Sequence, residues 1–144
     1  MYNFYLKRPL PEDFKFIYSV ISNNLKEKCP PKDRLQYYFE EILNNDKETI
    51  FTVNNGNRTA GFAHITEVFS LINGHYAEIP DFQISEFFRK NGADVYLLKA
   101  LEQWASQMLC CEIRFLAYEK ADINLLERLN YTKDENSRYY IKRL

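Results

Sequence analysis

The sequence predicts an α/β (α+β) domain on a mixed, mostly antiparallel sheet, and three observations carry that prediction. The apolar period is 3.6 residues early in the chain, changes to 2 across the middle, and then alternates between the two. Two turn sequences, Asn54-Asn55-Gly56-Asn57 and Ile72-Asn73-Gly74, separate the alternating runs at hairpin spacing. Hydrophobic residues make up 46% and charged residues 27% of 144, with aromatics at 16%, enough apolar mass for one core and one domain over residues 1–144.

Residues 2–7 place Tyr2, Phe4 and Leu6 on one face and read as a strand. Pro9 and Pro11 break it, and Glu12 and Asp13 then stand where the dipole of a starting helix favours acids. That helix carries Phe14, Ile17, Tyr18, Ile21 and Leu25 at helical spacing, until Cys29-Pro30-Pro31 stops it. A second helix starts near Asp33 with the stripe Leu35, Tyr38, Phe39, Ile42 and Leu43, and ends at Asn44-Asn45-Asp46. Strands follow over residues 49–53, 59–69 and 75–84. Pro80 inside the last of these removes a ladder donor and implies an edge, a bulge or a splayed region. A Gly-containing loop, residues 89–94, opens a third helix with Val95, Leu98, Leu101, Ala105 and Met108 inward. A strand over 112–118, a short helix over 121–129 and a strand over 137–143 complete the order β α α β β β α β α β.

Charge and composition exclude several classes of function. Lys and Arg number 19 against 20 Asp and Glu, and neither half of the chain is basic, so nucleic acid is not favoured as a partner. No apolar run approaches the roughly 20 residues that span a bilayer, so no membrane association is expected. The first ten residues lack the apolar stretch and cleavage site of a signal peptide. Three cysteines, two of them adjacent at 110 and 111, show no metal-binding spacing; the expectation is no metal and a reducing, cytoplasmic setting.

The chemistry concentrates in residues 78–105, EIPDFQISEFFRKNGADVYLLKALEQWA. A strand runs into Arg89, Lys90, Asn91 and Gly92, and this loop opens a helix. Unpaired N–H groups and the helix dipole make such a start an anion site; Gly92 permits close backbone approach and Arg89 and Lys90 add charge. The same pattern also fits an ordinary helix start with a turn glycine.

Four segments together resemble the GNAT N-acetyltransferase superfamily from the first strand to the last. LKRPLPEDF resembles its opening strand and helix start, and TAGFAHI its third strand. ISEFFRKNGAD is similar to its acyl-CoA pyrophosphate loop, and DINLLERLNY to the helix and turn before its last strands. The resemblance implies helices on both faces of the sheet and a splayed pair of fourth and fifth strands. It implies acetyl transfer from acetyl-CoA to a primary amine of a small molecule or peptide, and assemblies that are often homodimers. Carried over by position, pantetheine pairs with the backbone of Phe82, Gln83 and Ile84, and pyrophosphate sits on the loop Arg89, Lys90, Asn91, Gly92, Ala93 and Asp94.

Glu78, six residues before Ile84, is the candidate general base, a role that asks for a desolvating cleft. Asp81 is the weaker candidate, with a structural role at the splay. The chain departs from the family pattern at several places. Asp94 stands for the second small residue of the loop, and a like charge about 4 Å from a phosphate costs about 1 kcal/mol in water and about 4 at an effective dielectric of about 20. Leu126 stands where many members carry the tyrosine that protonates the departing thiolate, and Tyr118 is the candidate replacement. Glu119 replaces an asparagine near the cofactor, while Asn130 in place of glycine is mild because asparagine tolerates the left-handed conformation. His64 and His75 read as satisfied or exposed strand residues, Cys110 and Cys111 as buried at a helix-to-strand junction, and Tyr37, Tyr38 and Phe39 as core plus rim. The alternative to an enzyme is a catalytically weakened domain that senses acyl-CoA or binds protein, a reading fed by Asp94 and Leu126.

Overall fold

The computed structural model describes residues 2–135 and 139–144. Its strands are β1 (Phe4–Lys7), β2 (Glu48–Asn55), β3 (Arg58–Ser70), β4 (Gly74–Ile84), β5 (Glu112–Leu116), β6 (Thr132–Lys133) and β7 (Tyr139–Arg143). Its helices are α1 (Phe14–Leu25), α2 (Lys32–Leu43), α3 (Glu86–Arg89), α4 (Ala93–Gln107) and α5 (Lys120–Arg128). The strands form one sheet in the order β1-β2-β3-β4-β5-β7-β6, in which only the β4–β5 pair is parallel. A parallel pair needs a crossover, and α4 supplies it.

Local chemistry explains the hairpins. Asn55 pairs with Arg58 around Gly56, whose φ of +61° is the left-handed turn conformation that glycine adopts freely. Ser70 pairs with Gly74 at φ +83°, and the Ser70 hydroxyl accepts the N–H groups of Ile72 and Asn73. The chain leaves α4 and α5 through two similar C-terminal closures. Leu109 (φ +64°) and Asn130 (φ +65°) take the left-handed position, while Cys110 and Tyr131 donate back to Ala105 and Leu126.

Both sheet faces are covered. Phe51, Val53, Ile65, Ile79, Ile113 and Phe115 face α4 and α5, whose Leu97, Leu98, Leu101, Leu125 and Leu126 are buried against them. On the other face Ile50 and Phe62 meet Phe14, Ile17 and Val20 of α1 and Phe39 of α2. Tyr37 and Tyr38 form the exposed rim beside buried Phe39.

The boundaries correct the sequence reading in several places. Helix α4 ends at Gln107, so Met108 is a C-cap residue, 40% exposed, and Leu97 occupies the core instead. Strand β5 stops at Leu116, which leaves Tyr118 in the connection to α5 and 63% exposed. Cys111 is exposed, and only Cys110 of the adjacent pair is buried. The turn α3 and the two-residue β6 were not anticipated, being too short to show a period. Of the strand expected over 137–143, Ser137 and Arg138 lie outside the described residues.

Candidate active site

Pro80 marks the point at which the sheet opens. Against β3, His64 pairs with Asp81 but Thr66 with Glu78, so β4 carries one extra residue around Pro80. The bulge reverses which residues face the core: Ala77 and Ile79 before it, Phe82 and Ile84 after it, all lie in the cluster beneath α4. Strand β4 pairs with β5 only from Ala77↔Ile113 to Ile79↔Phe115, and beyond that the two diverge.

The ladder decides which backbone groups face the gap. Ser85 donates its N–H to Ala60, and antiparallel pairs alternate between bonded and unbonded residues. Gln83 is therefore bonded to β3 opposite Phe62, while Phe82 and Ile84 aim their N–H and C=O groups away from β3, toward the gap. This corrects the sequence reading at Gln83, whose backbone is already committed to β3. Its side chain and the Ile84 carbonyl both accept from the Asn24 amide, each at 3.0 Å, tying the end of α1 to the end of β4.

The loop before α4 has the expected backbone but unexpected electrostatics. Gly92 caps the helix at φ +90°, and a Cβ there would meet nothing within 4 Å, so the cradle is open. By position, Ala93 and Asp94 present N–H groups with no carbonyl one turn back. Asp94, however, is 4% exposed, neither bare in the site nor turned to solvent. Its Oδ1 accepts from Val95 N at 2.8 Å and its Oδ2 lies 3.3 Å from Arg89 Nη1. The other end of the guanidinium reaches Asp122 Oδ1 at 2.9 Å, and burial, working against Arg89, pushes the Asp122 carboxyl up to about 6. Arg89 is thus shared by two buried acids. Asn91 turns its amide back to Phe87 O, leaving exposed Lys90 as the cation facing solvent in this loop. A cleft of about 390 Å³ lies between Asn24, Ile84, Arg89, Lys90 and Glu119.

Glu78 lies in the middle of the paired region, in register with Arg114. It is partly buried and hydrogen-bonds to Tyr139; burial, followed by the Glu78 charge and that bond, raises the Tyr139 phenol above its ordinary range. Tyr76 and Tyr118 are close enough to add to the same rise. The structure thereby brings Glu78 and Tyr118 into one neighbourhood, and adds Tyr139. No motif marked Tyr139; the available signal was its register opposite Leu116, which only the folded sheet supplies. Asp81 bonds His64 Nδ1 at 3.0 Å, and Glu48 bonds Nε2 at 3.0 Å. Burial alone would lower the His64 pKa, but Asp81 and then Glu48 outweigh it and raise it above the ordinary 6.5. Leu126 is fully buried in the core and has no proton to give.

The model of the acetyltransferase (GNAT) family matches residues 17–131. This chain belongs to the GNAT family. Among solved structures, an acetyltransferase from Thermus thermophilus aligns over 100% of both chains, at 14% identity and a TM-score of 0.78. A predicted acetyltransferase with acetyl-CoA from Clostridium acetobutylicum aligns over 92% of each chain, at 17% identity and a TM-score of 0.75. An aminoglycoside acetyltransferase from an uncultured soil metagenomic sample, in complex with sisomicin, covers 92% of this chain and 90% of its own, at 16% identity and a TM-score of 0.74. At these identities the likeness speaks for the GNAT fold. No curated protein matches the chain significantly. Among the described residues no helix is long and apolar enough to cross a membrane.

Proposed function

We propose that this GNAT protein transfers the acetyl group of acetyl-CoA to a primary amine of a small molecule or peptide. The observation that carries the reading is the opening of β4 from β5 directly after Ile79↔Phe115, beside Glu78 and with the Phe82 and Ile84 backbone turned into the gap. Those strand groups suit the amides of a pantetheine arm, and the open Gly92 turn with the first N–H groups of α4 suits its pyrophosphate. Lys90 would face the phosphates, with Arg89, Asn91, Ala93 and Asp94 shaping the loop.

Acetyl-CoA supplies the activated acyl group. Glu78 would accept the ammonium proton of the acceptor, directly or through water, and an N–H near Ile84 would polarise the thioester carbonyl. Tyr118, exposed in the connection after β5, would meet the departing thiolate from the end of the gap. An apolar hollow of about 160 Å³ between α1, α2 and the sheet, with Asp81 on its rim, suits an amine that carries an apolar body.

A second reading has its own observation. Arg89 is paired with Asp94 and Asp122, and Leu126 is buried, which would leave the loop with less free positive charge and the departing thiolate with no acid at position 126. Such a domain would bind acyl-CoA as a sensor. Acetyl-CoA titration followed by a thiol-release assay over an amine panel separates the two. Binding with release supports the transferase, binding without release on any amine supports the sensor, and absence of binding removes both.

A further inference from the structure

The geometry points to a second site, at the opposite end of α4 from the Gly92 loop: Glu67, His75 and Cys110 form a binding site for a borderline-soft divalent cation of the Zn²⁺ class. Glu67 Oε1 lies 3.0 Å from His75 Nε2, and the same nitrogen lies 3.7 Å from Cys110 Sγ. All three donor atoms fall within 4.8 Å of one another. Tetrahedral zinc with bonds of about 2.0–2.3 Å to oxygen, nitrogen and sulfur sets its donors about 3.3–3.6 Å apart. The two separations at His75 therefore need adjustments of only a few tenths of an ångström. Carboxylate, imidazole and thiolate are also the donor types that zinc accepts, and three protein ligands leave a fourth position for water.

The donors are aimed by the fold. Glu67 and His75 are diagonal neighbours on paired strands, since Glu67 faces Ala77 and Phe69 faces His75. The imidazole stacks on Phe69 at a centroid distance of 4.2 Å and an angle of 6°, which fixes its plane. Cys110 is set by the closure of α4, where its N–H returns to Ala105 O, and Cys111 N–H holds the His75 carbonyl at 2.8 Å. The site is sheltered, with side-chain exposures of 15% at Glu67 and 22% at His75 and a buried Cys110. Binding of the metal to the Cys110 thiolate would displace the thiol proton. Sequence spacing conceals the set, because His75 stands 8 residues from Glu67 and 35 from Cys110. A cation there would pin the β3–β4 hairpin to the end of α4.

The test uses metal-stripped full chain and the metals alone. Zn²⁺ titrated calorimetrically should bind one per chain and raise the melting temperature by roughly 5 °C or more at saturation, reversibly with chelator. Co²⁺ should give the intense absorption of tetrahedral coordination with a thiolate-to-cobalt band. Cys110→Ala should abolish that band, while Cys111→Ala and Cys29→Ala keep it. Glu67→Gln, a milder change that preserves the hairpin, should lower Zn²⁺ affinity by about tenfold or more. No thiolate band in the parent chain, a band that survives Cys110→Ala, or unchanged Zn²⁺ affinity in Glu67→Gln would overturn the assignment. Failure of acetyl-CoA to bind would leave these readouts untouched.

Discussion

Asp94 lies 3.3 Å from Arg89, so the acid and the base of the loop face each other and not a ligand. Asp94→Asn keeps an acceptor for Val95 N–H and removes one charge from the start of α4. Acetyl-CoA should then bind roughly three- to tenfold more tightly at low salt, a gain that shrinks as salt rises. The apo fold should lose about 1–3 kcal/mol, more than an exposed first-turn acid would cost, because a buried ion pair is broken. Calorimetric binding and denaturant melts check both. Weaker binding would mean that Asp94 orients Arg89 for the phosphates.

Gly61 offers a test of the gap from behind. A Cβ there would stand 2.6 Å from Gln83 O and 3.0 Å from Ile84 Cα, against backbone that cannot yield without moving β4. Gly61→Ala should destabilise the fold by about 1–3 kcal/mol. It should also weaken acetyl-CoA, since the displaced segment carries the Phe82 and Ile84 N–H groups. A stable variant with unchanged acetyl-CoA affinity would separate β4 from cofactor binding.

These two tests also mark where sequence reading stops. The Asn54–Asn57 turn, the Pro80 bulge and the Gly92 cap are local: each follows from one residue's conformational preference, so each was legible in the chain. The Asp94–Arg89–Asp122 cluster joins residues that a helix crossover brings together, with Asp122 33 positions from Arg89. Glu78 meets Tyr139 only because β7 inserts next to β5, and His64 meets Glu48 and Asp81 through the registers of two strand pairs. Nothing in composition or periodicity encodes those meetings, and the resemblance carried no residue for them.

His64 makes stability depend on pH with a definite sign. Its pKa is raised in the fold, so the protein binds more protons than the unfolded chain in the window from about 6.5 upward. The stabilisation is full below 6.5 and is lost as pH rises through the elevated value, with a slope of up to about 1.4 kcal/mol per unit. Denaturant melts should therefore show stability falling as pH rises from about 6.5, and His64→Gln should flatten that fall. Stability that rises across the window would show that burial outweighs the two carboxylates.

Glu78 and Tyr139 test the chemistry itself. If the carboxylate takes the acceptor's proton, Glu78→Gln should lower kcat by roughly 100-fold or more near neutral pH and leave the Kd for acetyl-CoA close to unchanged. The amide is nearly isosteric and can still accept the Tyr139 hydroxyl, so lost packing would not imitate the loss. Tyr139→Phe removes the bond to Glu78 and retains the ring; kcat should fall by only about 3- to 10-fold, with acetyl-CoA binding intact. The order of the two effects decides between roles. A larger loss in Tyr139→Phe than in Glu78→Gln would make the phenol the proton-transfer group and Glu78 its partner. Full turnover in Glu78→Gln would return that carboxylate to a purely structural place on β4.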